Sequence, residues 1–127
     1  MRVYVAGPWV ERDRAREAAR IITERGHTVT HNWWDIDGDG SEEPEFLRNC
    51  ADQDIIGVLS ADVVVVIQGT VSEGKAVEQG IALNNGIPVI LIGEKRTNIF
   101  QYLKLFTLVP DLTTALEYLE MPKITLH

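Results

Sequence analysis

The chain alternates between short apolar runs and longer stretches in which apolar side chains recur every three to four residues, the periods of strand and helix. Val3 to Ala6 reads as a strand. Glu11 to Arg25 then reads as a helix with Ala15, Ala18, Ala19 and Ile22 on one face, stopped by Gly26, and Thr28 to Trp33 as a second strand. After an acidic loop the pattern predicts a helix over Glu45 to Leu59, a buried strand over Ala61 to Gln68, a helix over Ser72 to Asn85 ended by Gly86, and a buried strand over Pro88 to Ile92. Thr97 to Lys104 reads as a helix and Leu105 to Val109 as a short strand. Asp111 caps a last helix to Leu119, with Leu112, Ala115, Leu116 and Leu119 inward.

The run Val63-Val64-Val65-Val66-Ile67 is apolar on both faces, as in a parallel sheet covered on both sides by helices. Five strand–helix units predict an α/β, flavodoxin-like (Rossmann-type) five-stranded parallel sheet in the order 2-1-3-4-5. In that order the direction of winding reverses between strands 1 and 3, and ligands bind in the crevice beyond their carboxyl ends. The site should therefore be built from the loop after Ala6 and the loop after Gln68.

Composition narrows the class. With 127 residues and 45% hydrophobic content, residues 1–127 are expected to form one domain with a core that needs no disulfide or metal. The lone Cys50 has no partner for a disulfide, and the N-terminus enters a strand directly, so a cytoplasmic protein is expected. Nineteen acidic against twelve basic residues give a charge of −7, which opposes binding to nucleic-acid polymers and anionic membranes. A small phosphate ester stays compatible, because backbone N–H groups and local cations bind it whatever the global charge.

Both crevice loops have unusual composition. Gly7-Pro8-Trp9 is either a plain strand-to-helix turn or a place where backbone approaches a ligand and an aromatic face stacks on it. Gly69 to Gly74 runs into a helix whose free N–H groups suit an anion, and Ser72 reads equally as a helix cap or a phosphate contact. Glu78 follows one and a half turns later, either solvated or turned to the crevice, with the small Gly74 and Ala82 beside it. Asp54 shares an i, i+4, i+7, i+11 stripe with Leu47, Ala51 and Val58, so an inward carboxyl needs a partner or a raised pKa. It is either structural or a general acid. Two acids meeting at one crevice would suit glycosyl transfer, in which a carboxylate attacks the anomeric carbon and a second group protonates the leaving group.

Asp35 to Gly40 begins like a calcium-binding loop, but Phe46 stands where the bidentate glutamate belongs and Pro44 interrupts it. It reads as an acidic loop, with Trp33 and Trp34 packing its base or forming part of a lid. His27 and His31 sit at a spacing that does not chelate in a strand, and His127 is terminal, so no metal and no cofactor is expected.

These residues resemble the nucleoside 2-deoxyribosyltransferase superfamily, which includes the 2'-deoxynucleoside 5'-monophosphate N-hydrolases. The likeness runs through Val3-Tyr4-Val5-Ala6-Gly7, Asp54 to Val64, Ser72 to Ala82, and Asn85-Gly86-Ile87-Pro88-Val89-Ile90. It implies that Glu78 is the nucleophile that forms a glycosyl-enzyme intermediate, that Asp54 handles the base or its proton, and that Tyr4 orients the nucleophile. Ser72 matches the phosphate-binding serine of the hydrolase branch, where the transferases carry an aspartate, which points to a 5'-monophosphate substrate. The loop after Gly7 lacks the hydrolases' Arg-Gly-Gly run, which leaves Arg12 as the nearby cation; Glu73 is an unfavourable neighbour for a phosphate that Lys75 would offset. Asn98 matches an asparagine that the transferases offer to a neighbouring subunit, implying a homodimer. The resemblance thus implies cleavage of a nucleoside or nucleotide, with base exchange as the alternative; from a different class, the rival is a nucleotide-binding sensor or carrier module with no use for the acid pair.

Overall fold

The computed structural model describes residues 1–38 and 41–121; Asp39 and Gly40 of the acidic loop, and the tail with His127, lie outside the described residues. Strands β1 (Arg2–Ala6), β2 (Thr28–Val29), β3 (Val63–Ile67), β4 (Val89–Ile92) and β5 (Phe106–Val109) form one sheet in the order β2-β1-β3-β4-β5, every pair parallel. The register aligns Tyr4 with Val64 and Val65 with Ile90. Every β3 side chain is buried, as continuous valines demand when helices cover both faces. The helices are α1 (Arg12–Glu24), α2 (Pro44–Leu59), α3 (Glu73–Asn84) and α4 (Leu112–Glu120).

Local chemistry starts and stops these helices. Ser72 Oγ accepts from Lys75 N at the start of α3, and Asp111 accepts from Thr114 N at 2.8 Å at the start of α4. On α1 the buried face is Ala15, Ala18, Ala19 and Ile22, whose three alanines let the helix lie close to the sheet. No helix among the described residues is long and apolar enough to cross a membrane.

Three expectations need correction. The second strand covers only Thr28–Val29, and Trp33–Asp35 forms a 3₁₀ turn. This edge strand ends early because Trp33 turns inward, donating its indole N–H to Val5 O at 2.7 Å, and both Trp33 and Trp34 are buried. They pack the base of the acidic loop. The stretch Thr97 to Lys104 holds only a 3₁₀ turn, Ile99–Tyr102, because Gln101 is drawn into the core. There its amide donates to Gln79 Oε1 at 2.8 Å and exchanges hydrogen bonds with Gln68. On α2 only Gly57 and Val58 are buried. The expected inward stripe faces an open cavity over its N-terminal half, where Leu47 and Asp54 line the wall and Ala51 is exposed.

Candidate active site

Tyr4 is fully buried on β1, and its hydroxyl donates to Glu78 Oε2 on α3. The half-buried Glu78 is pushed up to about 8, first by burial; the Asp54 charge pushes the same way, and the Tyr4 hydrogen bond pulls it back. Burial raises Tyr4 far above the ordinary phenol range, with the Glu78 and Asp54 charges adding to it, so Tyr4 stays a donor. Asp54 is raised as well, by burial, against the opposing pull of His31. The structure thus brings together Tyr4, Glu78 and Asp54, three groups separated widely in sequence, from the middle of β1, α3 and α2. A buried carboxylate held by a phenol can attack an electrophilic carbon, and a second carboxyl of raised pKa can hold a proton for a leaving group.

Beside Asp54 opens a cavity of about 240 Å³ walled by Trp9, Trp33, Ile36, Phe46 and Leu47 with Cys50, and bordered by Asp37, Gly38 and Glu42. The Trp9 and Trp33 rings lie 6.1 Å apart between centroids, and the Arg12 guanidinium stacks 4.7 Å from the centre of the Trp9 ring. These flat walls suit a planar heterocycle, with Asp54 at its edge.

The predicted phosphate side is arranged differently from expectation. Gly7 and the buried Pro8 lead from β1 into a 3₁₀ turn, Trp9–Glu11, while Arg12 is exposed. Ser72 is the α3 cap, and Gly74 is exposed beside it. Lys75 does not offset Glu73: it is buried, and its ammonium donates to the carbonyls of Gln68, Thr70 (3.0 Å) and Ile67 (3.3 Å). It holds the loop after β3 from within, because that loop's carbonyls have turned inward. Glu11 reaches across from the start of α1 to accept from Thr70 N and Thr70 Oγ1, each at 3.4 Å. A Cβ on Gly69, whose φ is +33°, would overlap that carboxylate. Asn98 is exposed and caps the 3₁₀ turn, accepting from Phe100 N at 3.0 Å and Gln101 N at 3.2 Å, and it borders a cavity with Ala76, Gln79 and Gly80 of α3.

Sequence reasoning assigned no role to Glu11, His31 or Gly57. Asp54 Oδ1 lies 3.2 Å from His31 Nε2, and Gly57 sits where α2 meets Tyr4. A glycine in a helix interior three residues after a candidate acid was the one available signal. Among the described residues no cluster of three or more histidine, cysteine or acidic side chains is placed to hold a metal.

No protein-family model matches the chain, and no curated protein matches it. Solved structures do. A CMP N-glycosidase from Clostridium botulinum, BcmB, is 21% identical over 94% of this chain and 98% of its own, with a TM-score of 0.61. A 2-deoxyribosyltransferase from the psychrotolerant bacterium Bacillus psychrosaccharolyticus is 18% identical over 99% of this chain and 96% of its own, with a TM-score of 0.69. BlsM, solved in solution, is 23% identical over 89% of this chain and 83% of its own, with a TM-score of 0.58. Along nearly its whole length, therefore, this chain has the fold of a CMP N-glycosidase and a 2-deoxyribosyltransferase.

Proposed function

We propose that this chain is an enzyme that cleaves the N-glycosidic bond of a (deoxy)nucleoside 5'-monophosphate. Glu78 attacks C1', the C1'–N bond breaks as the C1'–O bond forms, and the base leaves with a proton from Asp54. Water then displaces Glu78 from the sugar, giving its proton to the Asp54 carboxylate. The observation that carries this reading is the Tyr4–Glu78 hydrogen bond with Asp54 beside it, at the crevice where the strand order reverses. A pure binding module has no need of two raised carboxyls facing one crevice. The shared fold with a CMP N-glycosidase supports the reaction class. On this reading the base lies in the cavity beside Asp54, against the wall formed by Trp9 and Trp33, and the phosphate lies at Ser72 and the first N–H groups of α3.

A second reading, base exchange between unphosphorylated nucleosides, is favoured by Glu11. Its carboxylate on the Gly69–Thr70 loop and the inward-facing Lys75 leave the phosphate side less cationic than the sequence alone implies. Incubation with a panel of nucleosides and their monophosphates, with free base followed by chromatography, decides between them. Wild type should release base, preferring monophosphates, and Glu78→Ala should release none while still binding ligand. Base release by Glu78→Ala at the wild-type rate would overturn the mechanism; preference for nucleosides would give the second reading the lead.

The functional unit we propose is a homodimer. Ile55, Ile56 and Leu59 of α2 and Val77 of α3 are exposed on helices that pack together, an apolar surface that a second copy would cover. Sedimentation equilibrium of wild type and Ile56→Glu checks this, the variant being expected to run as a monomer.

A further inference from the structure

The leaving-base side contains an ionisable group behind Asp54. Thr30 donates its hydroxyl to Gly57 O at 2.7 Å, which ties the end of β2 to α2 and brings the next side chain, His31, under that helix. A Cβ on Gly57 would stand 2.9 Å from His31 Cβ and 2.8 Å from Tyr4 Cε1, so α2 closes on both only because residue 57 has no side chain. His31 Nε2 is buried 3.2 Å from Asp54 Oδ1, a close contact without hydrogen-bond geometry, and among the described residues neither atom has a hydrogen-bond partner. His31 also lines a solvent groove, together with Arg16, Arg20 and Glu24 of α1 and Trp34. His31 therefore stands between solvent and Asp54, while Asp54 stands between His31 and the aromatic cavity. The charged and titratable groups around the pair are Tyr4 and Glu78 on the crevice side and those three α1 residues on the groove side.

Resting on the N-glycosidase reading, we propose that His31 is the positioning residue for Asp54, aiming its carboxyl at the leaving base. As the C1'–N bond breaks, the base nitrogen keeps the electron pair and takes the proton of the Asp54 carboxyl. Asp54 regains that proton from the water that displaces Glu78, and the His31 ring holds its carboxyl in place through both steps.

The test uses substrates of one sugar whose bases differ in how readily they depart without a proton. His31→Ala should slow kcat by about 30–100-fold for the poorest leaving base, below the 10²–10⁴-fold typical of a general acid itself, and by less than about threefold for the best. KM should change little, and His31→Gln, which keeps a polar contact to Asp54, should recover part of the loss. Relative to the wild-type ¹⁵N spectrum, Asp54→Asn should shift the ring nitrogens of His31. If wild type cleaves but His31→Ala loses all substrates equally, or if Asp54→Asn leaves the ring nitrogens unmoved, this inference is overturned and the proposed function stands. If wild type cleaves none of them, the proposed function falls and takes the inference with it.

Discussion

Glu78 is under two opposed demands: a nucleophile must be ionised, yet burial favours its neutral acid and holds it near 8. Its neighbours shift it in opposite directions, which makes their roles separable. The Tyr4 hydroxyl stabilises the carboxylate and the Asp54 charge destabilises it. Tyr4→Phe should therefore move the ionisation of Glu78 to higher pH, and Asp54→Asn should move it to lower pH. The acid limb of kcat/KM reads this in active variants, and ¹³C titration of the glutamate carboxyl reads it where activity is lost. No movement in either variant would show that burial alone governs Glu78.

Among the elements, the loop after β3 is the one that the fold holds most deliberately. Lys75 at the first turn of α3 gathers two of its carbonyls, Gln68 and Thr70, with that of Ile67 at the strand end, and Glu11 binds Thr70 from the other side. Burial lowers the Lys75 pKa, the cost of keeping an ammonium inside, and the carbonyl contacts offset it. Lys75→Met keeps the length and apolar stem but leaves those carbonyls unpaired, so it should lose about 1–3 kcal/mol of stability. Amide exchange should quicken between Gly69 and Ser72, with β1 and β4 unaffected. Urea unfolding and hydrogen exchange by mass spectrometry check the two effects; full stability in Lys75→Met would mean that the loop holds itself.

For the molecule as a whole, the buried Glu78 sets a pH dependence of stability. It loses its proton at an ordinary 4.5 in the unfolded chain and at about 8 in the folded one, so between those values the folded state holds more protons. Stability from this group is complete below about pH 4.5 and is lost as pH rises through 8. Glu78→Gln keeps an acceptor for Tyr4 without a charge to bury. It should flatten that part of the profile and exceed wild type by about 2–4 kcal/mol at pH 8, measured as urea unfolding across pH. A wild-type stability that rises from pH 5 to 8 by more than the variant's would contradict the burial of this carboxyl.

The sequence by itself determined the layer architecture, the strand order and the end of the sheet at which ligands should bind. Those follow from local periods: five consecutive apolar residues in β3 need cover on both faces, and alternation with helical stripes leaves few ways to wind the chain. It also picked out Asp54 and Glu78 as candidates through type and spacing within single elements, and Tyr4 through family resemblance alone. Only the tertiary structure decided what each one faces. Period shows which side of a helix is apolar, but not whether that side meets a sheet or a cavity, and α2 meets both. Glu11 and Thr70, 59 residues apart, share a contact that neither segment announces. Lys75 looks like a surface cation and points inward because carbonyls left free by the turn at Gly69 need a donor. His31 reaches Asp54 only because α2 carries no side chain at Gly57. Such pairings depend on how closely two elements approach, a distance fixed by packing between residues far apart in the chain and absent from the local pattern of either.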